Sequence, residues 1–247
     1  MSNLKDPSVD AREQELQKLF SDIPYETEIL VDLPSKGKFY QGFKGAKVIP
    51  LLFEDEQKIL MSKNKNINPI NEIISKCVQG VNVNDLLAMD KLYLLMKIKE
   101  ISYGPDYKFS ILCPACGTSV DSAIGIDGIP VNRVTDDVQD PREITLPMLK
   151  AKVKVRFPRT SDEQYFDTAE STVNNLYRLV VSINGQEDSV FIAKALKKMH
   201  IRDLKVIEKE VNRKEFGIDT TFQFDCPKCS HSTILGIPFD SNFFSVS

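Results

Sequence analysis

Apolar and polar positions alternate at period two over Thr27-Glu-Ile-Leu-Val-Asp-Leu33, which predicts a strand running into Pro34-Ser-Lys-Gly-Lys-Phe-Tyr40, a turn shaped by Pro34 and Gly37. Residues 46–53 read as a second strand, with Pro50 marking an edge because proline cannot donate to a ladder. The apolar spacing then becomes helical over residues 54–62, 69–79 and 89–102. Residues 125–140, with Pro130 and the acids Asp136, Asp137 and Asp140, read as a linker. Beyond it the pattern predicts strands at 142–146 and 152–157, and helices near 162–171, 173–183, 191–199 and 201–212. Upstream, residues 10–20 put Leu16, Leu19 and Phe20 on one helical face. Asp10, Glu13 and Glu15 stand near the start, where the helix dipole favours negative charge, so the segment is a short amphipathic arm.

Four of the five cysteines fall into two pairs, Cys113-Pro-Ala-Cys116 before Gly117 and Cys226-Pro-Lys-Cys229 before Ser230. Short alternating runs flank both pairs: residues 108–112 and 221–225 read as entering strands, 119–124 and 232–235 as leaving strands. A C-x2-C turn between strands lets two thiolates grip one metal, and two such turns complete a tetrahedral four-thiolate zinc site. The pairs are separated by 109 residues, far more than in a compact ribbon, so such a site joins distant parts of the chain. Two other readings stand beside zinc: a thioredoxin-like redox motif, which belongs at a helix start, and two unrelated pairs of free thiols. Cys77, in the apolar run Ile73-Ile74-Ser-Lys-Cys77-Val78, reads as a small buried hydrophobe.

An internal repeat makes the separation intelligible. A shift of 113 residues lays Cys113 on Cys226, Cys116 on Cys229, Tyr103-Gly104 on Phe216-Gly217, Phe109 on Phe222 and Asp90 on Asp203. Further upstream a shift of 107 lays Asp55-Glu56-Gln57 on Asp162-Glu163-Gln164, and Gly80 answers Gly185. The same matches also arise from similar local structure without duplication. On the duplication reading the fold is α+β, with two pseudo-repeated lobes, each holding helices and a strand–knuckle–strand hairpin, joined by one structural zinc per chain. The units expected to superpose are residues 46–126 and 151–239, with about six extra residues in the second just after Gly185. The chain then divides into an arm (1–26), a first lobe (27–128), a second lobe (129–240) and a Phe-containing tail (241–247). Four thiolates leave no open position for a water, so the site is structural rather than hydrolytic.

Composition narrows the function. The 247 residues are 42% hydrophobic and 27% charged, as in ordinary globular proteins, and the formal charge of −3 disfavours nucleic acid as the principal partner. No stretch approaches the length of a membrane span, and the N-terminus lacks a signal core, so a reducing compartment is expected and disulfides are not. Of the two histidines, His200 lies between helical stretches and reads as a cap or surface residue. His231 follows a knuckle whose ligand place Cys229 already fills. No G-x-S-x-G, P-loop or H-E-x-x-H occurs, and both Asp-Glu-Gln motifs read as N-terminal helix caps rather than acid–base pairs.

Asp32-Leu-Pro-Ser-Lys-Gly-Lys-Phe-Tyr40, the turn at Glu54-Asp-Glu-Gln, Asn68-Pro-Ile-Asn-Glu-Ile-Ile-Ser-Lys-Cys77, Met89-Asp90 leading to Ile101-Ser-Tyr-Gly104, and Cys113-Pro-Ala-Cys116 stand in an order that resembles the baseplate hub subunit family of T-even-like contractile-tailed bacteriophages, over about residues 27–240. The resemblance implies a non-enzymatic structural or assembly protein of the tail baseplate. Its implied partners are other hub proteins and the tape-measure protein, in the host cytoplasm during assembly and in the virion tail. The zinc assignment rests on the cysteine spacing and not on the resemblance. A zinc-ribbon nucleic-acid binder is the competing class, and a metal-dependent enzyme a distant third. Lys228 is the sole base inside the knuckles, with Asp121 and Asp225 nearby, so no phosphate-reading surface is evident. For partner binding the candidates are Phe243 and Phe244 in the apolar C-terminal tail, with Leu16 and Phe20 of the arm, since large apolar side chains at a terminus either pack on the body or anchor another subunit.

Overall fold

The structure, a computed structural model, describes residues 12, 14–19, 28–60, 69–166, 168, 171, 174–238 and 243, with backbone alone at 58–60. Residues 14–19 are helical (α1). The first half then runs β1 (Ile29–Val31), β2 (Ala46–Val48), α2 (Phe53–Leu60), α3 (Pro69–Cys77), β3 (Val78–Gln79), a 3-10 turn at Val83–Asp85, α4 (Ala88–Tyr103), and a hairpin of β4 (Asp106–Leu112) and β5 (Ser119–Gly125). A connection bearing β6 (Val131–Asn132) leads to the second half. This runs β7 (Arg142–Thr145), β8 (Lys152–Val155), 3-10 turns at Thr160–Tyr165 and Leu176–Leu179, β9 (Val180–Ile183), α5 (Ser189–Lys198), α6 (Ile201–Val211), β10 (Gly217–Ile218), and a hairpin of β11 (Thr221–Asp225) and β12 (Ser232–Gly236). Mixed helices and small antiparallel sheets make the protein α+β.

The two halves follow one order of elements. Each opens on a three-stranded sheet, β1-β2-β3 or β7-β8-β9, whose middle strand pairs antiparallel with both neighbours. Val48 faces Ile29 and Val78 in the first sheet, and Val155 faces Arg142 and Val180 in the second, both valines being fully buried. In each half a buried aspartate at the third position of a helix fastens the first hairpin turn. Asp90 of α4 accepts the Ser35 N–H at 2.9 Å, and Asp203 of α6 accepts the N–H groups of Met148 and Leu149 at 2.9 and 3.0 Å. Both carboxylates sit where the helix N-terminus favours negative charge. Leu33-Pro34 and Leu146-Pro147, again 113 residues apart, start these turns with a leucine of zero exposure. The correspondence thus begins at β1 and β7, upstream of the expected residues 46 and 151. The halves also differ: the first has a longer hairpin loop, from which Tyr40 adds a 2.6 Å hydrogen bond to Asp90, and helices α2 and α3 where the second has 3-10 turns, while the second has α5 where the first has only the 3-10 turn after Gly80.

Four apolar clusters hold the molecule. One fills the first half around Leu33, Ile74, Leu94 and Ile98, and one fills the second around Leu146, Val153, Ile192 and Ile207. A third lies where the halves meet: Phe157 is fully buried with its ring centroid 5.8 Å from Phe39 and 5.4 Å from Phe216, and the Arg213 guanidinium lies 3.8 Å over its face. Backbone bonds cross here too, with Thr160 N–H donating to the Leu86 carbonyl at 2.8 Å and β10 pairing with β6. The connection of residues 125–140 is fastened rather than loose, since Val134 and Val138 are buried and Lys38 Nζ donates to the carbonyls of Thr135, Asp136 and Val138. The fourth cluster surrounds the cysteines.

Both Asp-Glu-Gln motifs lie in a first helical turn, where Asp55 makes a long 3.6 Å ion pair with Lys76 and the other three acids accept close hydrogen bonds. Glu56 accepts from Tyr103 Oη at 2.5 Å, Glu163 accepts from Lys91 at 2.6 Å, and Asp162 takes two bonds from Arg156 at 2.7 and 2.8 Å plus the Arg159 N–H. Burial opposes ionisation of Asp162, but its bonds from Arg156 and Arg159 prevail and hold it below the ordinary carboxylate range. A depressed folded-state pKa stabilises above the unfolded value, about 3.9, and that contribution is lost as pH falls through the folded value. Asp162→Asn is therefore expected to be less stable than the parent at neutral pH, with the gap closing in acid. Urea unfolding at pH 7 and pH 3 checks this, and a gap that widens in acid contradicts it.

Four sequence expectations require correction. Residues 173–183 are not one helix: among the described residues a 3-10 turn ends at Leu179 and β9 follows, because Val180, Val181 and Ile183 add a third strand to β8. Likewise α3 stops at Cys77, and Val78 and Gln79 pair with β2. The helix expected at 162–171 is a 3-10 turn at Thr160–Tyr165, and the strand expected to reach Phe53 ends at Val48, before Pro50.

Candidate metal centre

Each cysteine pair sits at the tip of a hairpin, Cys113 and Cys116 between β4 and β5, Cys226 and Cys229 between β11 and β12. Neither pair opens a helix. The turns are built alike. Cys113 N–H donates to Thr118 O and Gly117 N–H to Cys113 O, both at 2.9 Å; Cys226 N–H donates to His231 O and Ser230 N–H to Cys226 O, also at 2.9 Å. The turn reverses through a left-handed residue, Gly117 at φ 68° and Ser230 at φ 56°. Glycine adopts this conformation without steric cost, while serine in it is held by the hydrogen bonds of the turn.

The hairpins face one another so that four sulfurs from distant parts of the chain converge. All four Sγ atoms lie within 4.8 Å of one another, with Cys113 to Cys229 at 3.7 Å and Cys116 to Cys226 at 3.8 Å. Tetrahedral thiolates at about 2.3 Å from a zinc ion stand about 3.8 Å apart, so the spacing fits one ion. These distances far exceed a disulfide bond of about 2.05 Å, and all five cysteines are free. The arrangement has local two-fold character. Exchanging the halves turns the 113–229 contact into the 226–116 contact, and it pairs Phe109 with its counterpart Phe222 at 5.4 Å between centroids. Cys113 and Cys226 are buried while Cys116 and Cys229 are exposed, again matching across the exchange. Phe224 and partly buried Ile111, Val120, Phe222 and Leu235 pack around the buried sulfurs.

The electrostatics of the donor set point the same way. Hydrogen bonding with the Thr118 side chain and backbone lowers the Cys116 thiol to about 6. At Cys229 a backbone hydrogen bond involving His231 lowers the thiol, but desolvation and the crowding of Cys116, Cys226 and Cys113 outweigh it and push the thiol up to about 12. Without a cation among them the four sulfurs cannot all ionise at neutral pH, and a divalent ion at their centre holds all four as thiolates. A saturated four-thiolate site binds and braces rather than activates water.

Around both tips the charge is mixed, with Asp121 bonded to Ser110 and Asp225 to Ser232. A model of the family described as T4 bacteriophage base plate protein matches residues 25–245, a span that takes in both cysteine hairpins and both three-stranded sheets. The chain belongs to that family. This base plate protein is also similar to the signal recognition particle receptor FtsY of Buchnera aphidicola subsp. Acyrthosiphon pisum (strain APS), at 30% identity over 91 residues, which is 37% of this chain and 24% of that one. The chain thus spans about a quarter of that relative's length. No solved structure matches.

The other residues singled out in the sequence are dispersed. In the base plate protein Leu16 is exposed on α1, and Phe20 and Phe244 lie outside the described residues. Phe243 as a partner anchor is corrected: it is 3% exposed and packs edge-on against Tyr107 at 4.9 Å, in the same core cluster as Ile237. Its aromatic surface is spent on the protein's own body, the other outcome open to an apolar tail. Cys77 is buried among α3 neighbours, apart from the sulfur cluster, and burial pushes its thiol up to about 12. His231 contributes its carbonyl to the second knuckle. Among the described residues, no helix is long and apolar enough to cross a membrane. The aspartates that fasten the two hairpin turns were visible in sequence only as one repeat match, because a carboxylate's backbone partners are set by the fold.

Proposed function

We propose that this chain is a baseplate hub subunit or hub assembly factor of a contractile-tailed phage, braced by one structural zinc per chain on Cys113, Cys116, Cys226 and Cys229. The observation that carries the reading is the match to the T4 base plate protein family over residues 25–245. The four-sulfur cluster supports the zinc, since soft thiolates at tetrahedral spacing suit that ion. In this reading the lobes 27–128 and 129–240 are copies of one unit, flanked by the arm 1–26 and the tail 241–247. Support comes from the shared element order and the paired Asp90 and Asp203 contacts. The role is non-enzymatic, with other hub proteins and the tape-measure protein as partners, met in the host cytoplasm during assembly and retained in the virion tail. The metal closes a loop of more than a hundred residues and so limits how far the two halves can separate. The test is affinity purification of tail intermediates from infected cells through a tag on this chain. Recovery of hub proteins supports the reading, and recovery of nucleic acid without tail proteins overturns it.

A further inference from the structure

The corner formed by α5 and α6 is basic on its surface. Residues 189–211 hold six bases, Lys194, Lys197, Lys198, Arg202, Lys205 and Lys209, against three acids, Asp203, Glu208 and Glu210, the last paired with Arg142 at 3.5 Å. Of those acids Asp203 is 1% exposed with both oxygens on backbone N–H groups, and Glu208 accepts from Lys205 at 2.6 Å. Between the helices and the 3-10 turn at Leu176–Leu179 runs a groove of about 290 Å³, with Leu176, Tyr177, Ala193, Leu196 and Leu204 as its apolar lining and Asn174, Lys197 and Glu208 as its polar lining. The helix α1 has the opposite character. Residues 10–26 hold five acids against Arg12 and Lys18, and its Leu16 and Leu19 are 58% and 65% exposed. A helix this short is marginal in water unless its apolar face is buried.

We propose that the α5–α6 groove seats the N-terminal arm of a second copy of this chain. Charge is complementary, since an arm of net negative charge meets a corner of net positive charge, and leucines spaced three apart match a groove lined by aliphatic side chains. Among the described residues of the arm, both leucines are exposed within the single chain and do not enter the groove. Arm and groove are different surfaces, so the contact is head-to-tail and propagates into a closed ring or an open array. The inference stands on these two surfaces and is independent of the hub assignment.

Sedimentation velocity of the full chain over a range of concentrations and salt tests it. The parent is expected to self-associate, more weakly as salt screens the charges. Leu16→Asp with Leu19→Asp is expected to abolish association with no loss of melting temperature. Lys197→Glu with Lys198→Glu, both exposed in the last turn of α5, weakens association at least tenfold, with the melting temperature followed alongside to separate any cost to the helix end. Adding Glu13→Lys and Glu15→Lys to that variant restores it. A chain that stays monomeric at every concentration overturns the proposal, whether its arm folds back on itself or serves a different protein. Association that survives the loss of both leucines, or is not rescued by charge reversal, overturns it equally.

Discussion

Replacing Cys226 by serine is expected to abolish stoichiometric metal binding and to cost on the order of 5 kcal/mol or more, a large part of the stability of an ordinary domain. Cys226 is buried at the centre of the cluster, its sulfur 3.8 Å from Cys116, and its backbone shapes the second knuckle. Serine keeps the volume but supplies no soft thiolate, so three ligands remain in a site spaced for four. Loss of the ion also frees the two hairpins, whose mutual packing is then left to Phe109, Phe222 and Phe224. Cys77→Ser is the control. Its thiol is buried away from the cluster, and this variant should keep its metal content while losing a little packing. Metal content and urea unfolding of the two variants check the prediction together. Equal metal in both contradicts it.

Phe157→Ala is the second large effect, expected at about 3–5 kcal/mol. The ring has zero exposure at the junction of the halves, between Phe39 and Phe216 and beneath the Arg213 guanidinium. Truncation leaves a cavity bounded by rigid neighbours: β10 is pinned to β6, and the backbone N–H of Phe157 itself is held by Asp140 at 2.7 Å. It also removes the aromatic face on which Arg213 rests, a further term beyond area. Phe53→Ala, at a ring 71% exposed on α2, should change stability by no more than about 0.5 kcal/mol. Urea midpoints at unchanged slope check both. A loss at Phe157 as small as that at Phe53 would show that the halves are held together elsewhere.

Which parts of this architecture the chain spelled out follows from the range of the interactions involved. The knuckle hairpins were legible because C-x2-C spacing, flanking alternation and a left-handed Gly117 all act within a few residues. The long helices α4 and α6 were legible for the same reason, α4 as an unbroken run of good helix formers ended by Gly104 and α6 as an apolar stripe opened by His200, whose Nδ1 accepts the Arg202 N–H. What escaped was β3 and β9. Each follows directly on a helical turn, so its few apolar residues continue the helical spacing, and only the partner strand decides the outcome. Phe243 failed similarly: nothing in the tail reveals that Tyr107, more than a hundred positions earlier, presents a ring to it. The convergence of the sulfurs was readable from the two C-x2-C spacings, and the repeat made their long separation intelligible; which sulfur meets which, Cys113 with Cys229 and Cys116 with Cys226, only the fold decides.

Whether the four cysteines act as one site is measured most directly by the metal content of the purified native chain alongside its count of reactive thiols. One zinc per chain is expected, with the four knuckle thiols protected until a chelator or acid removes the ion. A native chain with no stoichiometric metal and four freely titrating knuckle thiols would contradict it.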